Sequence, residues 1–366
     1  QFPKVTFGII VLNGEPFTRY CLEALYPHAW EIIVVEGAAE SARDFATEQG
    51  YSRDGTLETL KYFKENSDPE NKVKIVTKEG FWASRDEQSQ AYANEATGDY
   101  LWQVDIDEFY LPDAIEKVRG MLMNDPTITG ASFQWINFWG NEKTIVDGWF
   151  LRSGGGNVNR LMKWGDGYTY GKHWRGPRSY NPDGQDMTQI NWVSAEAMAR
   201  AGIRMYHYSL VFPHQVLHKS TIYKDGTDPT FFHHESDSWA TNVWLHLKRP
   251  FDVHNRYGQP AWLERFKGDS PSASLAMFND IRSGQVSCRM RAEEDIEQLL
   301  SSVSYQIKRW WAKRLFPVSM WLGNSPRGYW FSRAVFLWLN QGTLALLFAV
   351  TRKLRKKLIS KQTIET

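Results

Sequence analysis

What most limits the fold of this chain is an alternation running through its first 110 residues. Short apolar, β-branched runs are separated by stretches with apolar residues at helical spacing. "KVTFGIIVLN" reads as a strand and "EPFTRYCLEALY" as a helix. "EIIVVEG" and "GTLETLKYFKEN" repeat the pair, "KVKIVTKEG" and "ASRDEQSQAYANEAT" repeat it again, and "DYLWQVDIDEF" supplies a fourth strand. Strands that are apolar along their whole length have to be covered on both faces. With helices between them, they predict an α/β fold: a mostly parallel central sheet, right-handed crossovers, and helices on both faces. Ligands of such sheets sit beyond the carboxyl ends of the strands. Asn13, Glu36 and the pair Asp105 and Asp107 all fall at that edge.

The fourth strand runs straight into three carboxylates, Asp105, Asp107 and Glu108. Their ordinary use would be as caps for the helix predicted at "PDAIEKVRGML", or as a solvated turn. In extended geometry, however, Asp105 and Asp107 alternate with Ile106 and project to one face, at the edge where a ligand belongs. Two carboxylates held close together repel, and an oxygen-seeking divalent cation relieves the repulsion. Mg²⁺ or Mn²⁺ bridging them to a diphosphate is the expected arrangement. The strand-to-helix junctions carry neither GxGxxG nor GxxxxGK[ST], so phosphate charge has to be met by the metal.

Other chemistries find less support. A formal net charge of +1 gives no overall field for nucleic acid, although the last fifteen residues are strongly basic. Cys21 and Cys288 provide neither a disulfide framework nor a thiolate cluster, which suits a reducing compartment. The opening "QFPKVTFGIIVLN" has too short an apolar stretch for a signal peptide, so a cytoplasmic location is expected. Histidines at 233–236 and 207–218 have no accompanying HExxH or Cys ligand for zinc, and no GxSxG elbow is present.

Beyond residue 130 the texture changes. "GASFQWINFWGNEKTIVDGWFLR" is aromatic and strand-like, suited to a lid or acceptor-side region, whereas 226–292 is rich in His, Trp and Pro without a period. From Arg291, "AEEDIEQLLSSVSYQIKRWWAKRLF" is helical by pattern. "AVFLWLNQGTLALLFAV", 334–350, falls short of the about 20 apolar residues of a membrane span and is interrupted by Asn340, Gln341 and Gly342. Trp mixed with Lys and Arg upstream, and "RKLRKKLISK" downstream, suit attachment to the surface of an anionic membrane, on its cytoplasmic face; a helix pair packed on the globular domain is the alternative.

"VTFGIIVLNGEPFTRYCLEAL", "EIIVVEGAAES" and "EGFWASRDEQSQAYANEATGDYLWQVDIDEF" resemble, in order and spacing, the nucleotide-sugar half of family-2-like glycosyltransferases with the GT-A fold. "WINFWGNEKTIVDGWF", "NRLMKW" and "MYHYSLVFPHQVLHKSTIYKD" continue the resemblance, in the manner of the subgroup related to lipopolysaccharide-core and capsule glycosyltransferases. The likeness covers roughly residues 4–225. It implies a GT-A type, Rossmann-like catalytic domain at 1–225, with a nucleotide-sugar half at about 1–110 and an acceptor half at about 111–225. An irregular or helical extension at 226–300 and amphipathic, Trp-rich, basic helices at 301–366 complete the expected organisation.

The activity implied is metal-dependent transfer of a sugar from a nucleotide donor, UDP-linked by expectation, to a glycan or lipid-linked acceptor with inversion, as in polysaccharide biosynthesis. A catalytically silent glycan-binding or scaffold protein of the same fold is the alternative. By the resemblance Asp107 is the metal-binding Asp of the D-x-D motif and Asp105 its first Asp, near ribose and metal. Glu36 takes the place of the family's nucleoside-contacting acid, a Glu where Asp is commoner, and Asn13 lines the nucleotide pocket. Arg85 matches the helix Arg and His207 a downstream His able to approach the metal or diphosphate. The subgroup's His-Glu pair is broken at "YGKHWRGP", where Trp174 follows His173. His173, Asp166, Asp183 and Asp186 are therefore all candidates for the base, His173 foremost, and spacing does not choose among them.

Overall fold

The computed structural model describes residues 2–171, 176–222, 239–254, 259–323, 325–344 and 351. It divides into two compact units, Gln1–Phe138 with Asn157–Ser209 and Lys267–Arg289, and Trp139–Gly156 with Leu210–Phe266 and Met290–Thr366.

The alternation of the first 110 residues is present as β1 (Val5–Val11), α1 (Phe17–Leu25), β2 (Glu31–Glu36), α2 (Thr56–Asn66), β3 (Val73–Val76), α3 (Arg85–Glu95) and β4 (Tyr100–Gln103). There follow β5 (Glu108–Phe109), α4 (Pro112–Asn124), β6 (Gly130–Trp139), β7 (Asn141–Gly148), β8 (Asn157–Lys163), the short pair β9 (Thr169–Tyr170) and β10 (Ser179–Tyr180), β11 (Trp192–Val193), α5 (Ala195–Arg200) and β12 (Met205–Leu210). The remaining elements are α6 (Pro213–Ile222), β13 (Ala261–Arg265), α7 (Ser272–Arg282), α8 (Glu294–Ser301), α9 (Val303–Leu322) and α10 (Pro326–Gln341).

In the first unit the strand order is β6-β8-β4-β1-β2-β3. β4, β1, β2 and β3 run parallel, which places the ends of β1, β2 and β4 on one edge. β8 and β6 continue the sheet antiparallel. One face buries Ile33, Val35, Leu101 and Met162 under Trp82, Tyr92 and Tyr170. The other packs Phe7 against Trp102 and stacks Trp102 on Phe133, with those two centroids 5.2 Å apart and the rings nearly parallel. Helix α3 sits close on β1 because residue 8 is glycine: a Cβ there would come within 2.5 Å of the Tyr92 ring. Ser84 caps this helix by accepting the Glu87 N–H.

In the second unit β7 and β13 form an antiparallel pair, from Ala261 opposite Gly148 to Arg265 opposite Thr144. Its core is dominated by Trp139, Trp149, Trp239, Trp244 and Trp262. The segment read as one helical stretch from 291 onward is two helices, broken at Ser302, whose hydroxyl caps α9 through the Tyr305 N–H. The inner face of α9 belongs to this core: Tyr305 and Ala312 are buried, the Tyr305 hydroxyl accepts the Leu263 N–H at 2.8 Å, and Trp149 Nε1 donates to the Ala312 carbonyl. Among the described residues no helix is long and apolar enough to cross a membrane.

Candidate functional site

At the end of β1 the chain turns through Asn13, a non-glycine residue at positive φ, and its side chain knits neighbouring loops together. Asn13 Nδ2 donates to the Phe45 carbonyl and Oδ1 accepts the Arg53 N–H, each at 2.8 Å. The Asn13 N–H donates to the Ser52 hydroxyl, and the Ser52 N–H donates to Glu36 Oε1 at 2.7 Å. One loop residue thus links the ends of β1 and β2. The loop is held close by Gly50, at φ +86°, where a Cβ would lie 2.0 Å from the Gly80 carbonyl oxygen. Glu36 is fully buried, and its Oε2 has no hydrogen-bond partner. Burial raises its pKa above the ordinary value against the opposing pull of Ser52.

The acidic segment after β4 differs from the extended geometry expected of it. β4 stops at Gln103, and residues 105–108 form a turn: the Glu108 N–H donates to the Asp105 carbonyl at 2.9 Å, and the Asp105 N–H donates to Glu108 Oε2 at 3.1 Å. Asp105 and Asp107 consequently have different neighbours. Arg160, on β8, places Nη2 2.8 Å from Asp105 Oδ2, donates Nε to Glu108 Oε2 at 3.0 Å, and bonds Glu108 Oε1 through Nη2 as well. Burial pushes the Glu108 carboxyl up to about 8; Arg160 opposes that rise and Asp105 adds to it. Burial disfavours the Arg160 charge, but Asp105 and Glu108 outweigh it and hold the guanidinium above its ordinary range.

Asp107 meets β12 through its backbone. Its carbonyl accepts the Tyr208 N–H at 2.9 Å, and the β5–β12 pairing sets His207 opposite Glu108. His207 Nε2 lies 3.7 Å from Asp107 Oδ1, and both side chains are nearly buried. The Trp135 ring, from β6, stacks on His207 with centroids 5.1 Å apart. Trp135 Nε1 is a buried donor without an acceptor.

Among the described residues no three His, Cys, Asp or Glu side chains gather to hold a metal by themselves. Asp107 and His207 offer one carboxylate oxygen and one imidazole nitrogen. Such a pair fits a hard cation that takes its remaining ligands from water and substrate phosphate, as Mg²⁺ and Mn²⁺ sites do.

The other predicted residues are dispersed. Arg85 is the half-buried first residue of α3. Asp166 and Asp183 are exposed in turns. Asp186 caps the 187–189 turn through the Thr188 N–H and pairs with Arg178 at 2.8 Å; although burial pushes its carboxyl up, Thr188 and Arg178 hold it below its ordinary value. His173 lies outside the described residues. Sequence reasoning missed Arg160, Ser52 and Trp135. Arg160 alone left a signal, a cation directly beside the apolar Leu161 and Met162 in "NRLMKW", which calls for a counter-charge if it is buried.

No protein-family model matches the chain, and no curated protein is similar in sequence. Among solved structures it overlaps S. aureus TarS 1-349 at 14% identity and a TM-score of 0.29, over 38% of this chain and 37% of that one. Glucosyl-3-phosphoglycerate synthase from Mycobacterium tuberculosis, in complex with Mn²⁺, UDP and glucosyl-3-phosphoglycerate, overlaps at 15% and 0.27, over 38% and 45%. The chain thus covers less than half the length of either. Mannosyltransferase PcManGT from Pyrobaculum calidifontis, in complex with GDP-Man and Mn²⁺, overlaps 95% of this chain and 87% of its own at 12% identity and a TM-score of 0.37. Likenesses of this extent carry no assignment of activity.

Proposed function

We propose that the chain is a metal-dependent glycosyltransferase with the GT-A fold, moving a sugar from a UDP-linked donor to a glycan or lipid-linked acceptor with inversion. The observation that carries this reading is the turn at the end of β4, which sets Asp107 of the D-x-D motif against His207 at 3.7 Å, on the edge of the sheet where β1 and β2 also end. Asp107 and His207 would hold the cation, which when bound supplies the positive charge that a departing diphosphate needs. Asp105, with 34% of its side chain exposed and its carboxylate oriented by Arg160, is placed for the ribose. Trp135 Nε1 is the donor for a phosphate oxygen. Glu36 Oε2 is the acceptor for a nucleobase N–H.

In the transfer itself the acceptor hydroxyl gives up its proton as its oxygen bonds to the anomeric carbon, and the bond from that carbon to the diphosphate oxygen breaks. The base belongs to the set His173, Asp166, Asp183 and Asp186. Asp186 is already committed to Thr188 and Arg178.

Calorimetric titration of the full chain with UDP, with Mn²⁺ and with chelator, tests the reading. Binding that requires the metal is expected. Equal affinity with and without Mn²⁺, or no binding, overturns it and leaves a silent scaffold. Glu36→Gln, which cannot hold a negative charge for the base, should weaken UDP by about 1–3 kcal/mol.

A further inference from the structure

Helix α9 carries two apolar faces. Tyr305 and Ala312, with the partly buried Leu315 and Phe316, pack into the core of the second unit. On the far side, Val303, Ile307, Trp310, Trp311, Val318 and Trp321 fall within a stripe about 100° wide at 3.6 residues per turn. Trp321 is 84% exposed, Val303 70% and Ile307 54%. The stripe is about 27 Å long at the helical rise. Val303, Gln306, Ile307, Trp310 and Trp311 line an open groove along its first half. Trp310 and Trp311 meet edge to face at 4.9 Å, and the exposed Arg314 holds its guanidinium 5.1 Å over the Trp310 ring. An exposed apolar face of this size needs a partner.

The charge of the chain identifies the kind of partner. From Ser301 onward there are twelve Lys and Arg and one acid, Glu365; residues 1–300 carry ten more acidic than basic side chains. Arg314, Arg327 and Arg333 are exposed on or beside the stripe's helix and the next. A second copy meeting this face symmetrically would set basic ends against each other. Trp and Arg along one helix edge match a lipid headgroup region, with indoles at the boundary and guanidinium groups on phosphate.

We propose that the outer face of α9 lies on an anionic bilayer, its Trp and Ile side chains buried at the headgroup boundary and its basic residues on lipid phosphates. The attachment is peripheral and independent of the donor site. It keeps the inner face of the same helix in the protein core, so the helix that binds lipid is also a structural member of the second unit.

The test is flotation of the full chain with vesicles of phosphatidylcholine alone and of phosphatidylcholine with phosphatidylglycerol. The wild type should float with the anionic vesicles and be released by salt. Ile307→Ser combined with Trp310→Ser and Trp321→Ser should lower partition more than about tenfold, with the polybasic end left intact. Arg314→Gln should lower it about fivefold on anionic vesicles only. Trp321→Ser alone, at the most exposed position, serves if the triple variant does not fold. Sedimentation velocity runs alongside. No flotation of the wild type, or equal flotation of wild type and stripe variants, overturns the proposal; the second result assigns binding to the basic end. A wild-type dimer that the stripe variants dissociate also overturns it and makes the face a contact between copies.

Discussion

The turn at 105–108 buries charge, whereas the outer face of α9 exposes apolar surface. Both depart from the usual partition of side chains, and they differ in who completes them. Around the turn, Glu108 and Arg160 are each other's partners, so the chain itself satisfies the polar groups it takes out of water. On α9, nothing within the described residues covers Trp321 or Val303. Buried charge satisfied internally is a framework for a site; exposed apolar surface is a place for something external. Asp107, one position before Glu108 in the same turn, lies with its Oδ1 3.7 Å from His207 Nε2.

The sharpest way to break this distinction is to remove the internal partner. Arg160→Met takes from the buried Glu108 carboxyl and from Asp105 the donor they share and should cost about 1–3 kcal/mol in urea unfolding. Adding Glu108→Gln should return most of that loss. A single-variant cost below about 1 kcal/mol would mean that the pair is not sealed from water. The pH dependence carries a second signature. The Glu108 pKa is raised from 4.5 to about 8, so at intermediate pH the folded chain holds a proton that the unfolded chain releases. The stability this contributes is complete below about 4.5 and lost as pH rises through about 8. Glu108→Gln should remove that decline, which a comparison of unfolding midpoints from pH 5 to pH 8.5 would read, those limits being set at about the two pKa values.

A smaller effect separates framework from ligand. Asp107→Asn keeps the volume and should leave unfolding within about 1 kcal/mol of the wild type. Metal-dependent UDP binding should fall by about a hundredfold. Titration calorimetry against Mn²⁺ and UDP measures it. A large stability loss with unchanged UDP binding would move Asp107 into the framework beside Glu108, and the contrast between the two carboxylates would disappear.

How far the sequence reveals these regions depends on the range of the interactions. The parallel half of the sheet was legible because β1, β2 and β4 carry unbroken runs of apolar or aromatic residues, at 7–11, 32–35 and 100–102, a local signal of burial on both faces. The strand-end placement of Asn13, Glu36 and Asp105 followed from it. The turn was not legible, since its closure involves Glu108 and an Arg160 fifty-two residues away, and an extended continuation of β4 has the same local pattern. Nor could spacing show that the Asn13 amide is taken up by the Phe45 carbonyl and the Arg53 N–H. In the helical tail the period was read correctly but not its two-sidedness, because Tyr305 and Trp310 are equally apolar and only the packed core decides which turns inward.

The smallest expected effect is also the finest test of the site. Trp135 contributes a stacked ring to His207 and a buried N–H with no acceptor, and these two contributions separate in Trp135→Phe. A phenyl ring preserves the aromatic face against the imidazole but has no donor. An unsatisfied buried donor costs about 1–3 kcal/mol, so its removal relieves the folded chain, partly offset by the smaller ring. If the donor serves a ligand phosphate, the same change takes away a charge-assisted bond and should weaken UDP binding by about 1.5 kcal/mol in the presence of Mn²⁺. Stability and affinity then move in opposite directions, a pairing that a purely structural tryptophan does not produce. Thermal unfolding and calorimetry on one preparation read both. Unchanged affinity would assign the ring to packing around His207 alone, and a joint loss of affinity and stability would place the indole N–H in the framework with Arg160.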